Sequence, residues 1–440
     1  MSAAKHRTAG ALSSGLLNRA GNIMDFTRRQ IAQSATMALL SSGAPRSATR
    51  ASAQSTFDFP LPGSPARSAF AVIENEVCLN NARWHPLSKG SKQAVVDYLD
   101  YKARGIWNPP DTVSRAQESV KASFAKLINA DASEIAFVNS TTAGENLFVA
   151  SLDLLASGGN VVTDALHFEG SLYFYEALKQ RGVDVRVVQP RGWKIVTEDL
   201  EKVVNKETRL VAISQVSFIN GFQHNVKQIC DLAHAHGALV YVDAVQAAGA
   251  VPIDVRAWDV DAMGCASYKW LMGDMGLGFL YVRKDVLPRL RQTSFGYRQL
   301  SDFAYHAFPW DQPGTYPVSW KQRDGAAGMF EIGTVSNSTL AALTYSLSYI
   351  HALGVERIQA HAQTLITRLQ DELPRLGYQS ITPRDTLSPI ATFLVANQEK
   401  TKRALRTAKV DVSMNPGRMR ISPSIYNVRD DIEALLSALD

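Results

Sequence analysis

Two side chains at the ends of neighbouring apolar segments, Asp243 and Lys269, are the strongest candidates for chemistry in this 440-residue chain. A glycine-rich turn follows the lysine. A lysine at the end of a buried strand is costly to leave charged and unpaired. Burial lowers the pKa of its amine, which suits an amine that must attack a carbonyl group. A carboxylate at the next strand end is what a pyridinium nitrogen requires. The plain structural interpretation is a sheet whose lysine meets water and whose aspartate caps a helix.

Short β-rich segments alternate with amphipathic helical patterns between residues 134 and 282. This alternation predicts an α/β fold with a mostly parallel sheet covered by helices on both faces. Ligands of such sheets bind beyond the carboxyl ends of the strands, which is where Asp243 and Lys269 fall. The predicted strands are Ile135–Val138, Val161–Asp164, Val183–Gln189, Leu210–Gln215, Leu239–Asp243, Ala262–Ala266 and Gly278–Val282. The helical patterns between them include Ser171–Arg181, Thr197–Val204 and Lys227–His236.

The rest of the chain predicts a second, smaller unit. Residues 293–328 are rich in aromatic residues, glycine and proline, and we expect a packed or substrate-facing loop there. The elements predicted beyond it are helices at Ser338–Leu353, Val355–Leu376, Lys400–Lys409 and Arg429–Leu439, with strands at Ile390–Val395 and Met419–Ile421. We predict a leader at 1–53, an N-terminal arm at 54–90, a large domain at 91–330 and a small α+β C-terminal domain at 331–440.

Basic charge is concentrated in the first 53 residues, which hold seven Lys and Arg and one acidic residue. The formal net charge of +5 therefore belongs to the leader, and the remainder of the chain is close to neutral. We see no basic patch that would indicate nucleic-acid binding. No stretch is long and apolar enough to span a membrane.

The three cysteines, Cys78, Cys230 and Cys265, have spacings that suit neither a metal site nor a disulfide framework. Cys230 and Cys265 lie in apolar helix and strand patterns, which predicts buried structural thiols. We therefore expect no metal.

The segment from Tyr241 to Val282 resembles the cofactor floor of fold-type I pyridoxal-phosphate (PLP) enzymes, specifically the class V aminotransferase and cysteine desulfurase group. The Ser267-Tyr268-Lys269 triplet resembles kynureninase more than the desulfurases, which usually carry histidine before the lysine. The resemblance implies PLP as the cofactor, with a large domain built on a mostly parallel seven-stranded sheet. It also implies that Lys269 forms a Schiff base with PLP and shuttles the substrate's α-proton, while Asp243 keeps the ring nitrogen protonated.

Further cofactor contacts follow from the same resemblance. Thr141 and Thr142 open a helical pattern after a strand, where free amides suit a phosphate, and Thr142 is our first choice for the phosphate contact. The local pattern after the next strand assigns the ring that stacks on PLP to Phe168, with His167 as the alternative. Gln246 lies one helical turn from Asp243 and is placed to donate to the phenolic oxygen.

The resemblance assigns Tyr268 to binding the PLP phosphate. It also places Ser267, the residue before Tyr268, among the cofactor contacts. Without the resemblance, Gln246 would also suit the start of a helix, and Tyr268 would suit an aromatic position in the core. The run Phe330-Glu331-Ile332-Gly333-Thr334 resembles the family's Phe-Glu-x-Gly-Thr signature. There the threonine reaches the phosphate of the neighbouring subunit, so Thr334 implies a homodimer with shared active sites.

The run from Arg418 to Ser422 resembles the family's C-terminal Arg-x-Ser pattern, in which the arginine grips the substrate carboxylate. Arg420 aligns best, and Arg418 fits a surface position. One departure concerns the desulfurases, which carry a nucleophilic cysteine on a loop before this arginine. Residues 410–419 contain no cysteine, so persulfide transfer is not expected.

We therefore predict a PLP-dependent enzyme acting on an amino acid or amine-bearing substrate, with aminotransferase as the first choice. An isopenicillin-N-epimerase-like racemase is the alternative, although the sequence identifies no second base opposite Lys269. A carbon–sulfur lyase or kynureninase-like hydrolase comes third, and a PLP-fold scaffold protein without turnover is the alternative outside enzymes.

The leader resembles a twin-arginine export signal. Residues 27–31 read Thr-Arg-Arg-Gln-Ile, an apolar run follows, and Ala51-Ser52-Ala53 suits a signal peptidase. We favour a periplasmic location because this route moves folded proteins, so the cofactor can be loaded first. A mitochondrial transit peptide, or a disordered arm on a cytoplasmic protein, is the alternative.

Overall fold

The computed structural model describes residues 67–104 and 111–440, with the side chains of 111 and 112 left aside. The predicted leader at 1–53, its twin-arginine motif and residues 54–66 of the predicted arm lie outside the described residues. Within the described part, no helix has the length and apolar character needed to cross a membrane.

Fourteen strands are present in the described part of the chain. In chain order they are β1 (Val77–Cys78), β2 (Ile135–Val138), β3 (Asn160–Asp164), β4 (Asp184–Val188), β5 (Thr208–Ser214), β6 (Leu239–Asp243), β7 (Ala262–Ala266), β8 (Gly278–Val282), β9 (Leu300–Tyr305), β10 (Val318–Gln322), β11 (Ala391–Leu394), β12 (Val410–Asp411), β13 (Ser413–Asn415) and β14 (Arg418–Ile421).

The α-helices of the same residues cover both the large sheet and the C-terminal part. They are α1 (Lys89–Ala103), α2 (Asp111–Leu127), α3 (Thr141–Ala150), α4 (Leu154–Ser157), α5 (Glu169–Gln180), α6 (Thr197–Glu201), α7 (Val226–Ala235), α8 (Val255–Trp258), α9 (Gly325–Phe330), α10 (Asn337–Leu353), α11 (Val355–Glu372), α12 (Gln398–Thr407) and α13 (Arg429–Leu439).

A seven-stranded sheet with the order β2-β8-β7-β6-β5-β3-β4 positions the candidate site. Its pairs are parallel except for β8, which runs antiparallel to both β2 and β7. The central strands β6 and β7 are buried along their whole length, which explains their continuous apolar sequence. The predicted mostly parallel seven-stranded sheet is confirmed, and the bounds of β6, β7 and β8 agree with the prediction residue for residue.

The C-terminal part forms an antiparallel sheet of β11, β14 and β13. The start of the described chain lies against the C-terminal part through a separate two-stranded sheet, in which β1 pairs in parallel with β12, Val77 opposite Val410. The described part of the predicted N-terminal arm, residues 67–90, contains β1 and the first two residues of α1. The predicted domain boundaries stay a prediction.

The aromatic segment at 293–328 differs from the predicted packed loop. It contains the antiparallel hairpin β9–β10, with Trp320 opposite Phe303, and both faces of the hairpin are exposed along most of its length. The most exposed ring, Trp310, is 80% accessible. An isolated two-stranded hairpin is marginally stable in water, so this element needs a covering surface.

Glu331 is a buried carboxylate that ties the end of α9 to the sheet. It accepts a hydrogen bond from the Phe137 amide in β2 (2.9 Å) and forms an ion pair with Lys121 of α2. Arg298 lies 3.7 Å away and Arg323 3.8 Å away. The glutamate of the predicted Phe-Glu-x-Gly-Thr signature thus lies among three cations, of which Lys121 and Arg298 are half-buried and Arg323 is exposed.

Replacing Glu331 by alanine is expected to destabilise the protein by about 3–5 kcal/mol, because it leaves Lys121 buried without its partner. Chemical denaturation of the wild type and variant measures the difference. Glu433→Ala is the matched control, since Glu433 pairs with Arg368 at the surface. Removal of such a surface pair costs about 0–1 kcal/mol. Equal stability losses in the two variants would contradict the role given to Glu331.

Candidate active site

Lys269 and Asp243 lie where the sequence predicts, just beyond β7 and at the last residue of β6. Lys269 is 8% exposed, and burial lowers the pKa of its amine to about 8, with the Asp243 charge opposing the shift. The Asp243 carboxyl is buried and accepts a hydrogen bond from the Val245 amide (2.9 Å). Burial raises the pKa of Asp243, and the charges of His167 and Lys269 oppose that rise. A buried amine of this kind is partly neutral near physiological pH and so suited to attack a carbonyl.

The lowered pKa predicts how PLP capture depends on pH. Below pH 8 most Lys269 amines are protonated and unreactive, so the rate of PLP binding to the apoprotein should rise by about tenfold per pH unit. The rate should level off near pH 8, rather than near the 10.5 of an ordinary lysine. Stopped-flow absorbance of the lysine-bound cofactor, recorded at a series of pH values, measures the rate of PLP binding. A plateau only above pH 10 would show an unperturbed amine.

The beginning of α3 supplies a phosphate-sized set of donors. Ser140 caps the helix by accepting from the Ala143 amide (3.1 Å). Thr141 is buried, and its hydroxyl accepts a hydrogen bond from the Ala266 amide (2.9 Å), which fixes the helix start against the end of β7. Thr142 is exposed. The free amides and positive dipole end of a helix attract a phosphate. The phosphate roles assigned to Thr141 and Thr142 stay predictions.

The structure distinguishes the two candidates for the stacking ring. The His167 ring is completely buried, with Nδ1 2.7 Å from Ser214 Oγ and Nε2 3.2 Å from Glu145 Oε1. Phe168 is half-buried and lies edge-on to Phe218 at 5.5 Å. A ring that stacks on a cofactor needs an accessible face, which Phe168 has and His167 lacks.

Arg420 lies 7% exposed in β14, where its Nη1 donates to the Phe218 carbonyl (2.8 Å) and its Nε has no partner. Burial lowers the pKa of Arg420 to about 10, and its charge in turn lowers the pKa of Lys269. No carboxylate pairs with Arg420 among residues 67–104 and 111–440. A buried guanidinium without an anion is costly, so this arrangement favours an anionic ligand beside Lys269.

The remaining predicted cofactor residues around Lys269 have partners within the protein. Gln246 donates from Nε2 to the Ala82 carbonyl (3.0 Å) and accepts from Trp270 Nε1 (2.9 Å), which leaves one amide hydrogen for a ligand. The Ser267 hydroxyl points at the carbonyls of Asp274 and Leu277, at 2.6 and 2.7 Å. Ser267 is therefore left only as an acceptor.

Tyr268 is half-buried, and the Lys269 amine lies 5.7 Å from the centroid of its ring. Thr334 is exposed, and its carbonyl accepts from Asn139 Nδ2 (3.1 Å), two residues before α3. The roles assigned to Tyr268 and Thr334 stay predictions.

All three cysteines of the chain are buried. Burial raises the pKa of each thiol, in the case of Cys230 to about 12. Because the thiolate is the nucleophile, none of them suits persulfide transfer. Cys78 lies beside Glu76 and Asp411, each offering a potential ligand atom within 4.8 Å of the others, a grouping that the cysteine spacing does not predict.

Three polar residues near Asp243 escape sequence analysis. Glu145 is buried in α3 one turn after Thr141, and Ser214 is the register partner of Asp243. Gln215 has both side-chain polar atoms buried without a partner. Its backbone N–H donates to the Asp243 backbone carbonyl (2.9 Å). The only sequence signal that could have identified these three residues is a polar side chain at the end of an apolar strand or on the apolar face of a helix.

These residues fit PLP. The Lys269 amine makes no hydrogen bond to the residues that the structure describes, and Asp243 lies beside it for the ring nitrogen. The start of α3 can hold the phosphate, and the unpartnered Nε of Arg420 points to a bound anion. No acidic side chain lies within the first turn of α3, where it would repel the phosphate.

Comparisons with known proteins agree with the geometry. Residues 92–435 match the model of the family Aminotransferase class-V. The uncharacterized aminotransferase YcbU of Bacillus subtilis is 25% identical over 370 residues, covering 83% of this chain and 94% of the relative. A probable cysteine desulfurase of Methanothermobacter thermautotrophicus is 28% identical over 339 residues, covering 76% and 81%.

Solved structures share the fold. The apo cysteine desulfurase of Thermococcus onnurineus NA1 superposes with a TM-score of 0.73 at 22% identity, over 84% of this chain and 96% of that one. The cystine C–S lyase C-DES, in complex with its product cysteine persulfide, gives 0.72 at 20% identity, over 84% and 98%. The fold, the strand-end lysine and aspartate and the family match lead to one conclusion: the chain belongs to the class V aminotransferase family and is a PLP-dependent enzyme.

Proposed function

We propose that this enzyme is an aminotransferase that takes an α-amino acid as substrate. The observation that carries the substrate class is Arg420, a buried guanidinium without a carboxylate partner beside the Lys269 amine. A planar guanidinium binds a carboxylate through two parallel hydrogen bonds. Because the Arg420 charge acts on the Lys269 amine, we place the substrate's carboxylate at Arg420 and its amino group toward Lys269.

Each residue has a defined task in this reaction. Bound PLP supplies an electron sink for the pair of electrons released at the substrate's α-carbon. Lys269 Nζ would hold the cofactor and would take the proton from the substrate's α-carbon. Asp243 would keep the ring nitrogen protonated, and Phe168 would lie against the ring and limit access of water.

The choice of transamination over cysteine desulfuration rests on the burial of the thiols and on the family match. Cysteine desulfurases need a reactive thiol, and burial makes all three thiols of this chain poor nucleophiles. Transamination needs no group beyond Lys269, Asp243 and the carboxylate-binding arginine. The family name and that of the relative YcbU support the same choice.

Carbon–sulfur bond cleavage is the second candidate. Relatives at 25–28% identity are named cysteine desulfurases, and elimination of sulfur from the substrate itself would require no protein thiol. A racemase or kynureninase-like hydrolase has less support. His85, which lies next to Tyr268 in the fold, has both ring nitrogens engaged, by Pro86 O and Ser424 Oγ, so it does not offer a second base.

Product analysis tests the proposal. The PLP-loaded enzyme is incubated with ¹⁵N-labelled L-amino acids, singly, and with a keto acid acceptor. Transfer of ¹⁵N to the acceptor's amino acid is the expected result. Release of sulfide from cysteine, or of cysteine persulfide from cystine, together with ammonia and a keto acid and without an acceptor, would instead establish a lyase. Reaction with no amino acid in the panel would overturn the proposed substrate class.

We also propose that two copies of the chain form a homodimer with shared active sites. An apolar cavity of about 250 Å³ lies beside Gly333, lined by residues that include Phe137, Leu147 and Ile332. This cavity and the exposed aromatic hairpin β9–β10 support an interface next to Thr334. Sedimentation at decreasing concentration tests it, and a fully active monomer would contradict it.

Export by the twin-arginine route stays our proposal for the leader. The pair Arg28-Arg29, the apolar run after it and the concentrated positive charge support it. Replacing both arginines by lysine should keep the protein in the cytoplasm. N-terminal sequencing of exported protein should find residues 1–53 removed, and an intact Met1 would contradict cleavage.

A further inference from the structure

Glu145 is a buried carboxylate to which the proposed reaction gives no task. It lies on the sheet-facing side of α3 and is 1% exposed. Ser171 Oγ and Tyr175 OH both donate to it, at 2.5 and 2.8 Å, and His167 Nε2 lies 3.2 Å from its Oε1. A carboxylate in this position would be costly to keep unless it were paired and hydrogen-bonded. Every partner needed for an ionised Glu145 is present.

His167 completes a buried ion pair with Glu145. Its two ring nitrogens contact Glu145 and Ser214, so the ring is fixed in orientation. Burial alone would lower the pKa of His167, but the hydrogen bond and charge of Glu145 raise it above the usual value. Burial likewise opposes ionisation of Glu145, and the bonds from His167, Ser171 and Tyr175 hold its pKa below the usual value. Both shifts favour the ionised form of the pair.

The pair lies directly behind Asp243. Ser214 in β5 and Asp243 in β6 are register partners, so their side chains lie side by side on one face of the sheet. His167 Nδ1 lies 2.7 Å from Ser214 Oγ, so the imidazole contacts the residue that is paired with Asp243 in the sheet. The charge of His167 favours the ionised form of Asp243. This support matters because the Lys269 amine is needed for the cofactor.

We propose that Glu145 and His167 are positioning residues, a buried ion pair that keeps the Asp243 carboxylate charged and thereby sets the affinity of the site for the PLP ring. This inference rests on the cofactor and not on the reaction proposed above. It holds equally for an aminotransferase and a lyase. It gives His167 an electrostatic role in place of the stacking role considered from the sequence.

Other charged and titratable groups surround the pair and belong in any account of its pH dependence. Asp164, at the end of β3, also acts on His167, and His224 Nε2 lies 3.2 Å from Asp164. The titratable groups that interact electrostatically with Asp243, His167 or Glu145 include Asp164, Tyr175, Tyr241, Cys265, Tyr268 and Lys269.

Glu145→Gln is the decisive variant because it keeps the shape of the side chain and removes its charge. His167 then loses its counter-charge and deprotonates, and Asp243 loses its cation. Equilibrium dialysis of apoprotein with PLP across a range of pH should show weaker binding in the variant, with the largest loss on the acidic side, where Asp243 becomes protonated first in the variant. As pH falls, affinity should decline at a higher pH in the variant than in the wild type.

Two further variants separate charge from packing. Tyr175→Phe removes one hydrogen bond to Glu145 but keeps its carboxylate, so it should shift the pH profile of PLP affinity less than Glu145→Gln does. In an Asp243→Asn background, Glu145→Gln should produce no further loss of affinity, because no carboxylate remains to be kept charged. Thermal unfolding of each apoprotein checks that the fold is retained.

The proposal is overturned if Glu145→Gln binds PLP as tightly as the wild type does. It is also overturned if Glu145→Gln lowers PLP affinity equally at every pH and does so in the Asp243→Asn background as well. A loss of the same size in Tyr175→Phe would also overturn it, since it would assign the effect to packing. Failure of the amino-transfer experiment would leave these binding measurements unaffected, so the two proposals fail separately.

Discussion

Lys269→Ala is expected to lower turnover of every amino acid substrate by at least about 10³-fold, because it removes both the bond to the cofactor and the group that moves the α-proton. The variant should also lack the visible absorbance band of lysine-bound PLP. Apoprotein stability should not fall, since the lost side chain is a buried amine whose charge is disfavoured by burial. Steady-state kinetics, absorbance and thermal unfolding measure the three effects.

Lys284→Ala serves as the control for this experiment. Lys284 is an exposed lysine just after β8, and its removal should change neither the absorbance band nor the rate. Lys269→Arg provides a second comparison, because it keeps the positive charge but cannot form the bond. Substantial turnover in either Lys269 variant would mean that another residue holds the cofactor.

The second large effect is expected at Arg420. Arg420→Ala should lower kcat/KM for amino acids by about 10²-fold or more, the cost of removing one partner of a buried charge pair. The rate with an amine that lacks a carboxylate should change little. Arg420→Lys should recover only part of the loss, because an ammonium cannot reproduce two parallel hydrogen bonds. Parallel kinetics on a matched amino acid and amine measure this.

Arg418→Ala is the matched control. Arg418 is two residues away on the same strand, is partly exposed, and is expected to affect kcat/KM only slightly. Because Arg420 also donates to the Phe218 carbonyl, the stability of each variant is measured alongside. An equal loss for the amine and the amino acid would remove the carboxylate-binding role.

The parts of the site that sequence predicts best are those set by local pattern. Apolar runs set the bounds of β6 and β7. Asp243 is the polar residue that ends β6, and Lys269 follows the end of β7 by three residues. Arg420 and Thr142 depend on resemblance, since a lone arginine or a helix-capping threonine has an ordinary structural explanation. The burial of Arg420 and the position of Thr142 at the start of α3 become visible only in the fold.

The parts that sequence misses depend on contacts between distant segments. Glu145 and His167 meet because α3 packs against the loop after β3, and neither residue stands out in its own helix or loop. β1 pairs with β12 although most of the chain lies between them. The hairpin β9–β10 lacks a tight two-residue turn, the strongest local hairpin signal, so its composition resembles that of a loop.

The burial of all three thiols has a practical consequence. A reagent that modifies cysteine can reach Cys78, Cys230 or Cys265 only when the surrounding structure opens, because each is less than 7% exposed. Cys230 and Cys265 belong to a helix and a strand on the large sheet, whereas Cys78 belongs to the strand that joins the C-terminal part. Labelling rates resolved by mass spectrometry would therefore time the opening of these two regions separately in the unmodified enzyme, and show which of them PLP protects.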